Sequence, residues 1–260
     1  RATGEGSNQA IDVDGYDAYY KHLILWDAKR KRIAGGYRLG IGSEIFESHG
    51  GVEGFYTSSL FTYDQEFEST LRQTIELGRS FVSLEYQKEA LPLMLLLKGL
   101  MHSLMRYPDA EYFIGPVSIS NSYPKFYQSL MVYYLENKHN AMLPEHYAVP
   151  TTPFEPDYLK LNPKDLLRRK MDNFEKFDRF LMRLSDNTYR MPTLVKKYMK
   201  VNARIINFNV DPLFNYSLDG LIILRIKDYP RAEILSMTKD VANINDREAI
   251  MNRFGYSLKD

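Results

Sequence analysis

The pattern of apolar and polar positions predicts a strand-rich first part of the chain, followed by alternating helices and strands. Apolar runs between polar turns predict strands at residues 22–26, 33–40, 54–60, 76–82, 111–117, 202–210 and 221–226. Apolar positions at helical spacing predict helices at residues 87–106, 125–136, 165–184 and 193–200. We expect a loop at residues 137–163, which contain five prolines, and a mixed, charged tail from residue 227. This order predicts an α/β (α+β) fold with a central mixed, mostly antiparallel sheet flanked by helices.

Two opposite charges lie inside the predicted strand at residues 76–82. Glu76 and Arg79 are three positions apart, and on an extended strand such positions point to opposite faces. One of the two charges is therefore expected to face the buried side, where an unpaired charge costs several kcal/mol. The segment predicts either a structural Glu–Arg pair or a functional site.

Composition excludes several classes of function. Lys and Arg total 34 against 33 Asp and Glu, so the net charge is +1 and nucleic acid is not an expected partner. A chain without cysteine has no disulfide, thiolate zinc site or cysteine nucleophile, which is compatible with a reducing cytoplasm. The longest apolar run, residues 90–97, is far shorter than the roughly 20 residues of a membrane span. We therefore expect a soluble or peripheral protein without a signal peptide, and a start at Arg1 is compatible with excision from a longer chain.

Three short motifs occur in a fixed order in the first part of the chain. They are Asp-Gly-Tyr-Asp at residues 14–17, Tyr-Arg-Leu at 37–39 and Glu-Leu-Gly-Arg-Ser-Phe-Val at 76–82. The set resembles the D-x-Y-D, V-R-hydrophobic and E-x-x-R-F-x-V motifs of the acyl-homoserine-lactone synthases. It resembles still more closely the bacterial N-acyltransferases that make ornithine and glycine lipids, often labelled hemolysin-like. Both groups have the GNAT fold, and the resemblance extends over about residues 7–226.

The resemblance implies roles for seven side chains. Glu76 would be the general base, directly or through water, with Arg79 as the second catalytic candidate. The implied substrate-binding residues are Asp14, Asp17, Arg38, Ser80 and Phe81. Mixed charge suits an amino-acid acceptor, which offers a carboxylate to arginine and an ammonium to an acid. Strand N–H groups near residues 79–81 would stabilise the oxyanion, and residues 91–104 would line an acyl tunnel unless they are plain core.

The resemblance implies an acyl carrier protein or coenzyme A as the carrier of the acyl donor, and one departure from the usual motif favours the carrier protein. Acetyl-CoA enzymes of this fold place glycines where backbone N–H groups meet the pyrophosphate. The corresponding residues 87–91 contain no glycine, and Glu89 would repel a phosphate. No tightly bound cofactor is expected, and the five dispersed histidines predict no metal site. His22 and Asp27 match the H-x-x-x-x-D pattern of glycerolipid acyltransferases, but we expect them on opposite strand faces and therefore not to act together.

The implied protein is a single GNAT-like domain over residues 1–260, with a helical insertion at about 137–200 and a charged tail at 227–260. It would be an N-acyltransferase that moves a long, 3-hydroxy fatty acyl chain from acyl carrier protein to an amino acid amine, giving a lyso amino-lipid. We expect it in the cytoplasm, peripheral on the inner membrane. A basic stretch would contact anionic lipid or the acidic carrier protein, unless it is simply solvated; its residues are Lys164, Arg168, Arg169 and Lys170. The alternatives are an enzyme like acyl-homoserine-lactone synthase and a non-catalytic GNAT-like binding module or hemolysin-like protein.

Overall fold

The computed structural model describes residues 13–167 and 173–258. The strands are β1 (Lys21–Asp27), β2 (Arg32–Ile41), β3 (Phe61–Tyr63), β4 (Thr74–Val82), β5 (Tyr112–Ile119), β6 (Ala148–Pro150), β7 (Arg204–Asp211) and β8 (Ser217–Arg225). The helices are α1 (Gly42–Ser48), α2 (Glu68–Arg72), α3 (Leu91–Arg106), α4 (Lys125–Lys138), α5 (Pro163–Leu167), α6 (Phe174–Leu184), α7 (Thr193–Lys200), α8 (Arg231–Thr238) and α9 (Ile244–Arg253). Among the described residues, no helix combines the length and the apolar character needed to cross a bilayer.

The main sheet has the strand order β1-β2-β4-β5-β8-β7, and β3 pairs with β6 separately. Three of its pairings are antiparallel (β1 with β2, β2 with β4, β7 with β8), whereas β4 and β5 run parallel. The predicted mixed, mostly antiparallel sheet flanked by helices is confirmed. The described residues form two compact units: a first unit of residues 13–59, 65–115 and 224–258, and a second unit of residues 60–64, 116–167 and 173–223.

In the first unit, α3 packs on one face of the β1-β2-β4 sheet. A Cβ on Gly35 would lie 3.0 Å from Leu96, and a Cβ on Gly99 would lie 2.8 Å from Leu23. Because side chains alternate along a strand, Ile24 and Gly36 face the opposite side. We call that opposite side, which also carries Arg38, the site face.

A β-bulge interrupts β4 on its way along β2. Gly36 pairs with Phe81 and Arg38 pairs with Gly78, so three steps along β4 match two steps along β2. Arg79 lies inside the bulge with a φ of 44°, in the left-handed region that non-glycine residues seldom adopt. The bulge therefore resets which β4 side chains reach the site face.

The second unit is built around β7, β8 and helices α4 to α7. Tyr134 of α4 stacks on Phe177 of α6 with ring centroids 4.0 Å apart, and Leu130 and Leu181 are fully buried. β3 and β6 form a short antiparallel pair within this unit, from Phe61 with Pro150 to Tyr63 with Ala148.

The predicted strand at 54–60 is wrong. Gly51–Gly54 and Tyr56–Ser59 are 3₁₀ turns. The N–H groups of Tyr56 and Thr57 donate to the Glu76 carboxylate instead of to a neighbouring strand. An apolar pattern in the sequence does not show that these N–H groups donate to a distant carboxylate.

Other boundaries also differ from the prediction. β5 continues beyond the predicted end at residue 117 to Ile119, and Gly115 lets it lie against β4, where a Cβ would be 2.3 Å from the Leu77 carbonyl oxygen. The long helix begins at Leu91 with Pro92 in its first turn. The predicted loop contains β6 and the tail contains α8 and α9. Of the predicted helix at 165–184, residues 168–172 lie outside the described residues. They include Arg168, Arg169 and Lys170 of the predicted basic stretch.

Candidate functional site

A short 3₁₀ helix before β1, Gly15–Ala18, holds two carboxylates side by side. The N–H of Tyr16 donates to Asp14 Oδ1 at 2.9 Å, and the N–H of Asp14 donates to Asp17 Oδ2 at 2.8 Å. Each acid thus satisfies a main-chain donor of the same turn, in the manner of a capping box. The D-x-Y-D spacing therefore fixes both carboxylates in one place.

Two arginines from neighbouring strands meet these acids. Arg38 of β2 is 2% exposed, and its Nη1 donates to Asp14 Oδ1 at 2.7 Å and to Asp17 Oδ1 at 3.0 Å. Arg79 of β4 donates from Nη2 to Asp14 Oδ2 at 2.9 Å. We call these four residues the ion network, and their formal charges sum to zero.

The network sets the charge state of its members. Burial alone would raise the pKa of Asp14, but the hydrogen bonds and charges of Arg38 and Arg79 outweigh it and hold that pKa below its usual value. Burial also opposes ionisation of Asp17, yet the N–H of Asp14 and the guanidinium of Arg38 lower its pKa. Both acids are therefore carboxylates at neutral pH.

Arg79 reaches the network only because of the bulge. Glu76 lies opposite Gly40, and Gly40 is two positions from Arg38, so Glu76 and Arg38 share the site face. Simple alternation would send Arg79 to the α3 side. The bulge returns it to the site face, where it contacts Asp14. The expectation that Glu76 and Arg79 point to opposite faces is therefore wrong, because one extra β4 residue breaks the alternation.

Glu76 is fully buried behind the network, and its oxygens accept hydrogen bonds from three residues. Oε2 accepts from the Tyr20 hydroxyl and, at 3.0 Å, from the N–H of Tyr56. Oε1 accepts from the hydroxyl of Thr57 and, at 2.9 Å, from its N–H. Burial raises the pKa of Glu76, and the bonds from Thr57 and Tyr20 only partly oppose that rise.

Three tyrosine rings lie close to the Arg38 guanidinium. The Arg38 guanidinium carbon is 5.5 Å from the ring centroid of Tyr16, 5.2 Å from that of Tyr20 and 5.6 Å from that of Tyr56. Such cation–π contacts favour a desolvated arginine. Sequence analysis missed these tyrosines, although Tyr16 is the aromatic position of the D-x-Y-D motif itself.

The structure places the remaining predicted residues as follows. Ser80 is exposed and Phe81 is half exposed near the end of β4, where the Phe81 ring lies over Gly36. His22 Nε2 lies 3.9 Å from Asp17 Oδ1, whereas Asp27 accepts from the Tyr86 hydroxyl at 2.7 Å. The two ends of the H-x-x-x-x-D pattern thus have different partners.

Two other features bear on substrate access. The predicted tunnel side chains of α3 divide, since Leu96, Leu100 and Leu104 are buried core while Leu91 and Leu95 are exposed. A cavity of about 140 Å³ lies at the opposite end of β2 and β4, next to Ile41, Thr74 and the turn after α3. Its lining includes none of the seven predicted site residues.

Comparison with known proteins gives matches of three kinds. Residues 1–97 match the family model described as the acetyltransferase (GNAT) domain. Proteins named glycine N(alpha)-acyltransferase, from Bacteroides thetaiotaomicron and Phocaeicola vulgatus, are each 32% identical over 220 residues, 80% of this chain. The chain spans 64% and 66% of their lengths. A solved CoA-dependent acyl-homoserine lactone synthase, with SAM and isopentyl-CoA, is 16% identical with a TM-score of 0.29, over 45% of this chain and 51% of that one.

Proposed function

We propose that this chain transfers a fatty acyl group from a thioester to the amine of glycine, because residues 1–97 match the acetyltransferase (GNAT) domain and the chain is similar to proteins named glycine N(alpha)-acyltransferase. The amine nitrogen attacks the thioester carbonyl, the carbon–sulfur bond breaks, and the products are an amide and a free thiol. The amine must lose a proton, and the two reactants must be held in line. The observation that carries the proposal is the ion network, which presents acids and arginines together on one sheet face.

The network matches the two charges of an amino acid. Side chains of Asp14 and Arg79 are 30% and 29% exposed, whereas that of Arg38 is 2% exposed. We infer that Asp14 attracts the ammonium of glycine and Arg79 its carboxylate. Arg38 and Asp17 hold that pair in place from the buried side.

Glu76 remains the candidate base, and its raised pKa suits a proton acceptor. Its oxygens already accept from Tyr20, Tyr56 and Thr57, so we infer that the proton reaches it through the Tyr20 hydroxyl. If this relay operates, Tyr20→Phe and Glu76→Gln lower kcat to a similar extent and with the same pH profile. A Tyr20→Phe variant with undiminished kcat would show that the proton does not pass through the Tyr20 hydroxyl.

We propose a 3-hydroxyacyl carrier protein as the donor. Residues 87–90 before α3 are exposed and include Glu89, and Pro92 removes one N–H from the first turn of α3. A pyrophosphate is held by such N–H groups and by positive charge. Here Pro92 lowers the number of N–H groups, and Glu89 lowers the positive charge. A thioester carried on a protein needs no pyrophosphate cradle in this position.

The deciding experiment supplies the purified chain with a 3-hydroxyacyl carrier protein or the matching acyl-CoA, and with glycine, ornithine or S-adenosylmethionine. We expect mass spectrometry to show N-acylglycine, formed faster from the carrier protein. We expect Arg79→Gln to lower kcat/KM for glycine by about 100-fold, with Arg72→Gln as the control. A lactone from S-adenosylmethionine would favour the synthase alternative. Failure to form an amide with any pair of substrates would favour a binding module.

A further inference from the structure

Large apolar side chains lie exposed beside the ion network. On the site face, Ile24 and Trp26 are each 54% exposed, Phe81 is 50% exposed and Ile33 is 44% exposed. Trp26 pairs with Ile33, and Ile24 and Phe81 pair from either side with Gly36. A Cβ on Gly36 would lie 3.0 Å from the Phe81 ring, so this glycine lets the ring lie flat on the sheet. We call these four apolar side chains the apolar strip.

The strip ends at a cationic turn. The β1–β2 turn carries four consecutive basic residues, Lys29 to Arg32, although the whole chain has a net charge of only +1. Arg30 pairs with Asp27 at 3.7 Å and Arg32 pairs with Glu85 at 2.5 Å. Lys29 and Lys31 are exposed at the tip. Positive charge is therefore concentrated where the strip meets solvent.

We propose that this hairpin docks the protein on an anionic lipid surface. Trp26 and its apolar neighbours would enter the boundary between headgroups and acyl chains, where tryptophan is favoured. Lys29 and Lys31 would contact the lipid phosphates. The combination of apolar side chains with exposed lysines favours a charged membrane over a purely apolar ligand.

Docking in this way would place the ion network at the membrane surface. Ile24 is two residues from His22, and His22 pairs across the sheet with Arg38 of the network. The consequence for catalysis rests on the proposed function, since an acylated glycine formed there could pass directly into lipid. The docking itself rests only on the strip and the turn.

The protein carries its own probe, because Trp26 is its single tryptophan. The full chain is mixed with vesicles of equal parts phosphatidylglycerol and phosphatidylcholine, or of phosphatidylcholine alone, without any acyl donor or acceptor. We expect the Trp26 emission to shift to shorter wavelength and the protein to sediment with the anionic vesicles. Salt at about 1 M should release it, since the Debye length then shrinks to about 3 Å.

Two variants separate the contributions. The Lys29→Gln/Lys31→Gln variant should bind anionic vesicles about 25-fold more weakly, at about 5-fold for each lysine. The Ile24→Thr/Ile33→Thr variant keeps the probe and should also bind more weakly. Lys227→Gln/Lys239→Gln removes two exposed lysines from the same unit, and we expect it to bind like the parent chain.

Several outcomes would overturn the proposal. One is no emission shift and no sedimentation with anionic vesicles. Another is equal binding to both vesicle types that neither salt nor the two lysine substitutions weaken. That result would identify the strip as a site for an apolar chain. Amide formation from soluble substrates is measured separately, so a chain that forms no amide but binds anionic vesicles would overturn the proposed function and support the docking.

Discussion

Glu76 shows how burial and hydrogen bonding together define one residue of the site. Its carboxylate is removed from water, and two main-chain N–H groups and two hydroxyls replace that water. A buried carboxylate without such partners is strongly disfavoured. The same bonds fix the backbone at Tyr56 and Thr57, so the acid also shapes the segment before α2.

Replacing Glu76 by glutamine tests this description. The amide –NH₂ would face donors, and either the Tyr20 hydroxyl or the N–H of Thr57 would lose the Glu76 oxygen that now accepts from it. A buried donor left without a partner costs about 1–3 kcal/mol, so we expect the free energy of unfolding to fall by that amount. Urea denaturation measures it. Glu53→Gln, at an exposed position, should change it by no more than about 0.5 kcal/mol, and equal effects of the two changes would contradict the account.

At this scale the sequence predicts charged groups better than their neutral partners. The motifs identify Asp14, Asp17, Arg38 and Arg79, and the structure brings their side chains together. Their roles in catalysis remain predictions. The tyrosines escaped prediction because their contacts with Arg38 and Glu76 depend on how distant segments meet, which no local pattern records.

The bulge in β4 is the element that positions Arg79. A non-glycine residue in the left-handed region costs roughly 1–2 kcal/mol relative to glycine. We expect Arg79→Gly to be more stable than Arg79→Ala by about 1 kcal/mol, because both lose the Asp14 contact and only alanine keeps the backbone strain.

At a helical position, we expect the opposite order of stability between the glycine and alanine variants. At Met94, exposed within α3, alanine should be more stable than glycine by about 1 kcal/mol. Thermal or urea unfolding of the four variants measures both differences. An Arg79→Ala variant as stable as Arg79→Gly would show that the backbone at this position carries no strain.

Gly40 gives β2 room for the Tyr20 ring. A Cβ at this position would lie 2.6 Å from two ring carbons of Tyr20. Gly40→Ala must therefore displace the ring and its bond to Glu76, and we expect a loss of about 1–3 kcal/mol in the free energy of unfolding. Gly15→Ala has open space around its Cβ and is the matched control. A Gly40→Ala variant with an unchanged free energy of unfolding would contradict the close packing.

Element prediction succeeded where a segment's own periodicity decided its structure. The pattern identifies β1, β2, β4 and α3 to within a few residues. It fails at residues 54–60, where backbone N–H groups donate to the distant Glu76 carboxylate. It also misses α8 and α9, each of which buries only two residues and so gives a weak periodic signal.

For the molecule as a whole, the ion network links stability to acidity. Asp14 and Asp17 have pKa values below those of the unfolded chain, about 3.9. Their stabilisation is complete above that value and is lost as the pH falls through the folded-state pKa. We therefore expect the free energy of unfolding to decrease from about pH 5 downward.

Urea titrations at a series of pH values measure this dependence. The Asp14→Asn/Asp17→Asn variant should be less stable at neutral pH but should show a shallower decrease in acid. Asp109→Asn removes an exposed carboxylate from outside the network and should keep the parent slope. A double variant with the parent slope would mean that other groups govern acid unfolding.

The class of fold could be predicted because the order of the elements and the order of the motifs can both be read from the sequence alone. The mixed sheet and the GNAT resemblance are both confirmed. The acyl donor, the chain it carries and the contact with membrane remain predictions. They depend on surfaces where substrate meets protein, and such surfaces leave only weak marks in a single sequence.

One carboxylate, that of Asp14, caps its own turn and binds both Arg38 and Arg79. Substitution of Asp14 would disturb both arginines, and substitution of either arginine would disturb Asp14, so evolution cannot adjust these positions separately. Among related proteins we therefore expect positions 14, 38 and 79 to change in concert, and a homologue that lacks one of them to have rebuilt the others.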